Sequence, residues 1–150
     1  PLYAHPKIGN NRQLAEKLNI KVTERKTLDN CPGIFFIGQL EQAISPQAFS
    51  EQLQKLFNRL PMHLPGAKSQ IETLAWCSGG AQKYLDVAVD CGVDAYLSGE
   101  ISEHNFHTVN ETGIHYYAAG HHATERYGVQ RRQGHYHLYS RTIWISTSIY

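Results

Sequence analysis

The chain has 150 residues, of which 41% are hydrophobic and 18% are charged, and its formal net charge at pH 7 is +1. This size and composition predict one globular domain with its own core and exclude a disordered chain. The small net charge excludes a strong electrostatic preference for nucleic acid or membranes, and no apolar run approaches the ~20 residues of a membrane-spanning helix.

The three cysteines are Cys31, Cys77 and Cys91, and no two of them have the C-x-x-C spacing. Because the number of cysteines is odd and no pair has that spacing, the sequence predicts neither a disulfide framework nor a zinc knuckle. Because nothing at the start of the sequence resembles a signal peptide, a reducing, cytoplasmic setting is expected.

The first half of the chain predicts short helices and strands. In chain order we first expect a helix capped by Asn10 or Asn11, an edge strand or loop over 20–29, and a turn at 31–33. A strand over 34–37 that Gly38 ends is expected next. A helix from Ser45-Pro46 follows, with Phe49, Leu53, Leu56 and Leu60 on one face, and then a linker over 61–66. The helix after Ser45 has the clearest start, because a hydroxyl cap precedes a proline whose missing N–H costs nothing there.

From residue 71 onward the pattern becomes regular. Strands are predicted over 71–76, 93–97 and 114–119, and each is followed by a glycine-containing turn and a helix start. Such repeated strand–helix–strand units cross over right-handed and give parallel strands. The sequence therefore predicts an α/β fold with a layered, mostly parallel sheet. Because sites in such folds form at the carboxyl edge of the strands, Cys77–Gly80, Glu100 and His121 are expected to converge.

The stretch GHHATE, residues 120–125, concentrates chemically useful side chains. If a helix begins near His121, then His121 and Glu125 stand one turn apart on the same face. An imidazole nitrogen and a carboxylate oxygen in that arrangement either bind one divalent metal ion or form an ordinary surface ion pair. His122 points about 100° away and is therefore a candidate for facing substrate or supporting the ligands.

Other candidates carry weaker signals. Glu100 is either a carboxylate that supports metal ligands or an acidic residue favoured by a helix dipole. His104 and His107 are expected to form a solvated or core-edge pair, Asp94 to order the start of a strand, and Cys77 to be a buried core residue rather than a nucleophile at a helix N-terminus. CSGG lacks the lysine of a phosphate-binding loop, so a nucleotide P-loop is rejected.

Four motifs, in the right order, carry a resemblance to a known family: PLYAHPKIGNN, AWCSGGAQKYLD, GVDAYLSGE and HYYAAGHHATERYG. They resemble the LPLDAHP, WCTGGG, GVDAFITGE and HFYAAGHHATER signatures of the Nif-three-like family, also described as GTP cyclohydrolase 1 type 2 homologues. The resemblance covers residues 1–129. It implies an α/β fold, a toroidal homohexamer and a centre of two divalent metal ions, among whose ligands the first His and the Glu of GHHATE correspond to His121 and Glu125.

The sequence also departs from that family. The resemblance implies a ligand His pair from an N-terminal segment without a counterpart in this sequence, and Tyr3 stands where the family has a bridging Asp. A phenol with a pKa of about 10 substitutes poorly for a carboxylate. We therefore predict the C-terminal portion of a Nif-three-like domain, a fragment with an incomplete metal site, weak metal binding and little or no turnover. The alternative is a non-enzymatic binding or assembly module.

The character of the sequence changes after Glu125. The last 25 residues contain four Arg and four Tyr but no Asp, Glu or Lys. We interpret residues 130–150 as an atypical tail that is read in a shifted frame. The competing interpretation is a basic, aromatic arm that contacts nucleic acid, since arginine binds phosphate and tyrosine stacks on bases.

Overall fold

A computed structural model describes residues 5–121 and 123–125. The helices are α1 (Pro6–Lys17), α2 (Pro46–Phe57), α3 (Leu85–Asp90) and α4 (Glu103–Thr112), and the strands are β1 (Ile20–Leu28), β2 (Cys31–Ile44), β3 (Met62–Leu64), β4 (Ile71–Trp76), β5 (Ala95–Ser98) and β6 (His115–Ala118). A short 3-10 helix, Gln82–Tyr84, leads into α3, and a further helical segment begins at His121. None of the helices in this part of the chain is long and apolar enough to cross a membrane.

The six strands form one sheet in the order β1-β2-β4-β5-β6-β3. Its strands β4, β5 and β6 are parallel, as the repeated strand–helix–strand pattern predicts. The flanking pairs β1–β2, β2–β4 and β3–β6 are antiparallel. The predicted α/β class is confirmed. The sheet is mixed, because the α3 and α4 connections join neighbouring strands in parallel, whereas a tight hairpin reverses the chain between β1 and β2.

The hairpin between β1 and β2 turns at Asp29-Asn30, not at the predicted 31–33. Both residues have positive φ angles, 48° and 60°, which short hairpin turns require and which Asp and Asn tolerate. Strand β2 is also much longer than expected, because β1 pairs with one side of it and β4 with the other. Gly38 does not end this strand; a Cβ there would lie 2.5 Å from Ile20 Cγ2, so the close approach of β1 requires glycine.

The segment predicted as a linker contains strand β3, whose Met62 pairs with Ala118 and whose Leu64 pairs with Tyr116. Helix α2 begins as predicted, with the Ser45 hydroxyl accepting from Ala48 N at 3.1 Å. It ends earlier than predicted, because Asn58 adopts the left-handed conformation with φ of 52°. Leu60 therefore lies outside the helix and is 68% exposed.

Helices cover both faces of the sheet. One core contains α1 and α2 residues together with Phe36, Leu74 and Trp76. The other contains α3 and α4 residues together with Phe35, Ala75 and Tyr96. Consecutive strand residues alternate between the two cores, as the pleat requires. Because β4, β5 and β6 pair in parallel, their carboxyl ends lie at one shared edge.

Candidate metal centre

The turns that follow β4, β5 and β6 touch one another at the carboxyl edge of the sheet. The Gly99 N–H donates to the Gly79 carbonyl at 2.9 Å, and the Gly120 N–H donates to the Gly99 carbonyl at 2.9 Å. The Gly79 N–H in turn donates to the buried Thr124 hydroxyl at 3.0 Å. The structure therefore brings together the three turns that the sequence placed at this edge.

Glycine at position 99 is needed for this approach. A Cβ there would lie 2.7 Å from the Gly79 carbonyl oxygen and 2.8 Å from the His121 Cα, and neither backbone group is free to move away. The start of the helical segment at His121 is thus held directly against the β4 and β5 turns.

His121 and Glu125 form the pair expected from GHHATE. His121 Nε2 lies 3.3 Å from Glu125 Oε2 at the i, i+4 spacing. Two ligand atoms that share one tetrahedral zinc ion at about 2.0–2.2 Å lie about 3.3–3.5 Å from each other. The separation of these two atoms therefore matches the distance expected between two ligands of one shared divalent ion.

Gly79 leaves the space in which the Glu125 carboxylate lies. Its φ of +76° is in the left-handed region, and a Cβ at this position would lie 2.5 Å from Glu125 Oε1 and 3.5 Å from His121 Nε2. A side chain at position 79 would therefore occupy the space where the carboxylate meets the imidazole.

Glu100 lies on the opposite side of the His121 ring. Its Oε1 atom forms a short hydrogen bond with His121 Nδ1. An ionised carboxylate at position 100 can only accept from Nδ1, and Nε2 of a neutral ring then carries its lone pair on the side of Glu125. Two acceptors that face each other attract only when a positive charge lies between them, either a proton on Nε2 or a cation.

The three side chains remain reachable from solvent. The exposed fractions are 40% for His121, 43% for Glu100 and 30% for Glu125. Within residues 5–121 and 123–125, no group of three His, Cys, Asp or Glu side chains is arranged to hold one metal ion. At this site, Glu100 approaches the ring nitrogen of His121 that Glu125 does not approach. The described residues therefore offer two candidate ligand atoms here, His121 Nε2 and Glu125 Oε2.

The other candidates lie elsewhere or serve the fold. His104 and His107 are exposed on α4, and His104 faces Asp86 at 3.8 Å. Cys77 is buried, and burial raises the pKa of its thiol to about 11, which agrees with a core residue rather than a nucleophile. Asp94 accepts from the backbone N–H groups of residues 72 and 73 and from Lys68 Nζ, so it orders the start of β5 as predicted.

Asn11 has a different role from the predicted one. Helix α1 begins at Pro6, so neither Asn10 nor Asn11 is its cap. The Asn11 side chain is buried, donates to the Ile34 carbonyl at 2.8 Å and accepts from Ser78 N–H at 2.7 Å. It thereby fixes the turn after β4 from the helix side. No local pattern signals this contact, because it joins residues 67 positions apart.

Gln82 and Thr124 were also missed by sequence reasoning. Gln82 Nε2 lies 3.4 Å from Glu100 Oε2, and the Thr124 hydroxyl anchors Gly79. The signal for Thr124 was present in the GHHATE motif itself, since it lies between the two candidate ligands. Tyr3, His122 and the tail of residues 130–150 lie outside the described residues, so the predictions about them stay predictions.

Comparison with known proteins identifies relatives over most of the chain. A protein of Pseudomonas aeruginosa named GTP cyclohydrolase 1 type 2 homolog is 46% identical over 130 residues, which are 87% of this chain and 51% of that protein. A protein of the same name from Vibrio cholerae is 41% identical over 133 residues, or 87% of this chain and 52% of that protein. The chain thus spans about half the length of the curated relatives that it matches.

Solved structures share the fold. The structure described as "Structural genomics, protein ybgI, unknown function" aligns with a TM-score of 0.76 and 37% identity over 87% of this chain and 51% of that chain. TTHA1606 from Thermus thermophilus aligns with a TM-score of 0.67 and 27% identity over 90% of this chain and 52% of that chain.

The resemblance read from the four motifs is confirmed at the level of the family. A family model described as Duf34/NIF3 (NGG1p interacting factor 3) matches residues 1–141, which include all four motifs. The chain therefore belongs to the Duf34/NIF3 family.

Proposed function

We propose that this chain supplies His121 and Glu125 as ligands to a divalent metal centre in a hydrolase-like protein. The observation that carries the proposal is the 3.3 Å separation of His121 Nε2 and Glu125 Oε2. Its context supports the proposal, because Glu100 contacts the other ring nitrogen of His121 and Gly79 leaves room for the Glu125 carboxylate.

A divalent ion held by His121 and Glu125 would supply Lewis acidity for the hydrolysis of a nucleotide-like or heterocyclic substrate. The chain's own residues hold the imidazole and the carboxylate at one edge of a rigid sheet. Partial exposure of both side chains leaves a path for a small polar molecule. The name GTP cyclohydrolase 1 type 2 homolog of the relatives agrees with such a substrate class.

We further propose that the chain by itself binds metal weakly and turns over little or no substrate. Catalytic metal sites usually have at least three protein ligands, and the described residues provide two. The centre of two metal ions implied by the resemblance needs further ligands, whether from residues beyond those described or from other chains.

Isothermal titration of the full 150-residue chain with Zn²⁺ and Mn²⁺ tests the site. We expect weak binding, with a dissociation constant on the order of micromolar or weaker, that is lost in His121→Ala and Glu125→Gln. His107→Ala and Glu103→Gln are matched controls, because both residues are exposed on α4, and they should bind as the parent chain does. Equal binding by all four variants would contradict the assignment, and two tightly bound ions per chain would contradict the prediction of a weak site.

We also propose that the chain forms a homo-oligomer. Within the described residues, β1 and β3 are the outer strands of the sheet, and outer strands offer unpaired backbone groups to another chain. Leu60, just before β3, is 68% exposed, and Met62, the first residue of β3, is 51% exposed. Light scattering on the same samples distinguishes a metal-binding protein from a non-enzymatic assembly module. An oligomer that binds no metal favours the assembly module. A monomer that binds no metal contradicts both the proposed metal site and the proposed homo-oligomer.

A further inference from the structure

The contacts of Glu100 point beyond the ligand pair. Glu100 lies 21 residues before His121 in the chain, and its carboxylate bonds to the ring nitrogen that a cation shared with Glu125 does not use. A helix dipole alone does not explain this contact, because the carboxylate meets another side chain rather than free backbone N–H groups.

Buried hydroxyls hold the backbone of Glu100. The Tyr116 hydroxyl donates to the Glu100 carbonyl, and the Ser98 hydroxyl lies 2.9 Å from the same oxygen. Ser98 and Tyr116 are both fully buried, on β5 and β6. The turn that carries Glu100 is therefore fixed to the two strands that define the edge of the site.

A second set of contacts holds the carboxylate. Gln82 Nε2 lies 3.4 Å from Glu100 Oε2, and the Gln82 carbonyl accepts from the buried Asn105 side chain at 3.0 Å. Asn105 Oδ1 also accepts from Ser102 N at 2.8 Å, which fixes the start of α4. Gly80 leaves space beside this carboxylate, since a Cβ there would lie 3.3 Å from Glu100 Oε2.

We propose that Glu100 is a positioning residue that holds the His121 ring in the Nδ1–H form, with Nε2 directed at the cation shared with Glu125. Its carboxylate accepts from Nδ1 and contacts Gln82, while Ser98 and Tyr116 hold the backbone carbonyl of Glu100. Hydrogen bonds of this kind fix the orientation of a ligand imidazole and raise its basicity, and their loss typically weakens metal affinity by about 10–100-fold. The cation part of this inference rests on the proposed function, but the tautomer part does not.

Two readouts on the full chain test the proposal. The first is nitrogen NMR of the His121 ring at mildly alkaline pH in the presence of a chelator, with His121→Gln used for assignment. The parent chain should show the Nδ1–H form, and Glu100→Ala should shift the ring toward the Nε2–H form. The second readout is Zn²⁺ titration, in which Glu100→Ala should lose about 10–100-fold in affinity.

Conservative and control variants complete the test. Glu100→Gln keeps an oxygen that accepts from Nδ1, so it should retain the Nδ1–H form and part of the affinity. Glu103→Ala removes an exposed carboxylate from the first turn of α4 and should match the parent chain in both readouts. Urea unfolding of each variant shows whether the fold is intact; Glu100→Gln supplies the comparison if Glu100→Ala unfolds.

The outcomes for Glu100 and for the metal site are distinguishable. The positioning role is overturned if Glu100→Ala keeps the Nδ1–H form, or if its Zn²⁺ affinity lies within about twofold of Glu103→Ala while His121→Ala abolishes binding; in that second case the proposed metal site stands. If the parent chain binds no cation but the tautomer shifts as expected, the positioning of the ring stands and the proposed function fails.

Discussion

Replacing Gly79 by alanine separates the stability of the fold from the geometry of the site. Gly79 has a φ of +76°, and a Cβ there would lie 2.5 Å from Glu125 Oε1. Gly92 is a matched control, because it has a φ of +71° and a Cβ there would meet nothing within 4 Å. Both substitutions carry the cost of a left-handed alanine, about 1–2 kcal/mol.

The two variants should differ in metal binding. Glu125 is a flexible side chain that can rotate away from the new methyl group, so the close contact adds little to the cost of folding. Ordinary contacts begin near 3.4 Å, and the carboxylate must therefore move by about 1 Å, well beyond the ±0.2 Å that metal–ligand distances tolerate. We expect Gly79→Ala to lose at least about tenfold in Zn²⁺ affinity, or about 1.4 kcal/mol, relative to Gly92→Ala.

Urea unfolding in the presence of a chelator and isothermal titration with Zn²⁺ measure the two quantities. Equal Zn²⁺ affinity in Gly79→Ala and Gly92→Ala would refute the geometric argument for the site. A much larger loss of metal-free stability in Gly79→Ala would show that Glu125 cannot rotate and that the methyl group disturbs the fold itself.

Three further predictions concern the scaffold. Asn11→Ala removes two buried hydrogen bonds and should lower the free energy of unfolding by about 2–4 kcal/mol, whereas Asn110→Ala, at an exposed position of α4, should change it by less than about 0.5 kcal/mol in urea unfolding. Burial opposes the charged form of Asp94, but hydrogen bonds from Lys68 and from the backbone of β4 outweigh it and lower its pKa from 3.8. The stability that Asp94 contributes is therefore present above pH ~4 and lost as the pH falls through the lowered pKa, so Asp94→Asn should flatten the acid side of the stability profile; an unchanged acid side would contradict this. Because Cys77 is buried and burial raises the pKa of its thiol to about 11, iodoacetamide should modify it only after unfolding. Cys31 and Cys91 are free and partly exposed, so the label must be localised by peptide mass spectrometry, and a label on Cys77 of the folded chain would contradict this.

Local pattern was sufficient for the parallel centre of the sheet. Residues 71–119 alternate strand, glycine turn and helix, and the strands β4, β5 and β6 follow that order with parallel pairing. The pattern was insufficient for the flanks, because nothing local shows that Met62–Leu64 pairs with β6, more than 50 positions along the chain. The hairpin turn at Asp29-Asn30 did have a local signal, which the nearby Pro32-Gly33 pair obscured.

The sequence by itself determined that His121 and Glu125 lie one turn apart, since that spacing holds wherever a helix begins at GHHATE. The motifs also determined the family, which the comparisons confirm. Only the tertiary structure shows which side chain Glu100 contacts, because its partner His121 lies 21 residues away on another turn. It likewise revealed the roles of Asn11 and Gly79, since a buried bond across the sheet and the space beside a distant carboxylate exist only when the turns after β4, β5 and β6 meet.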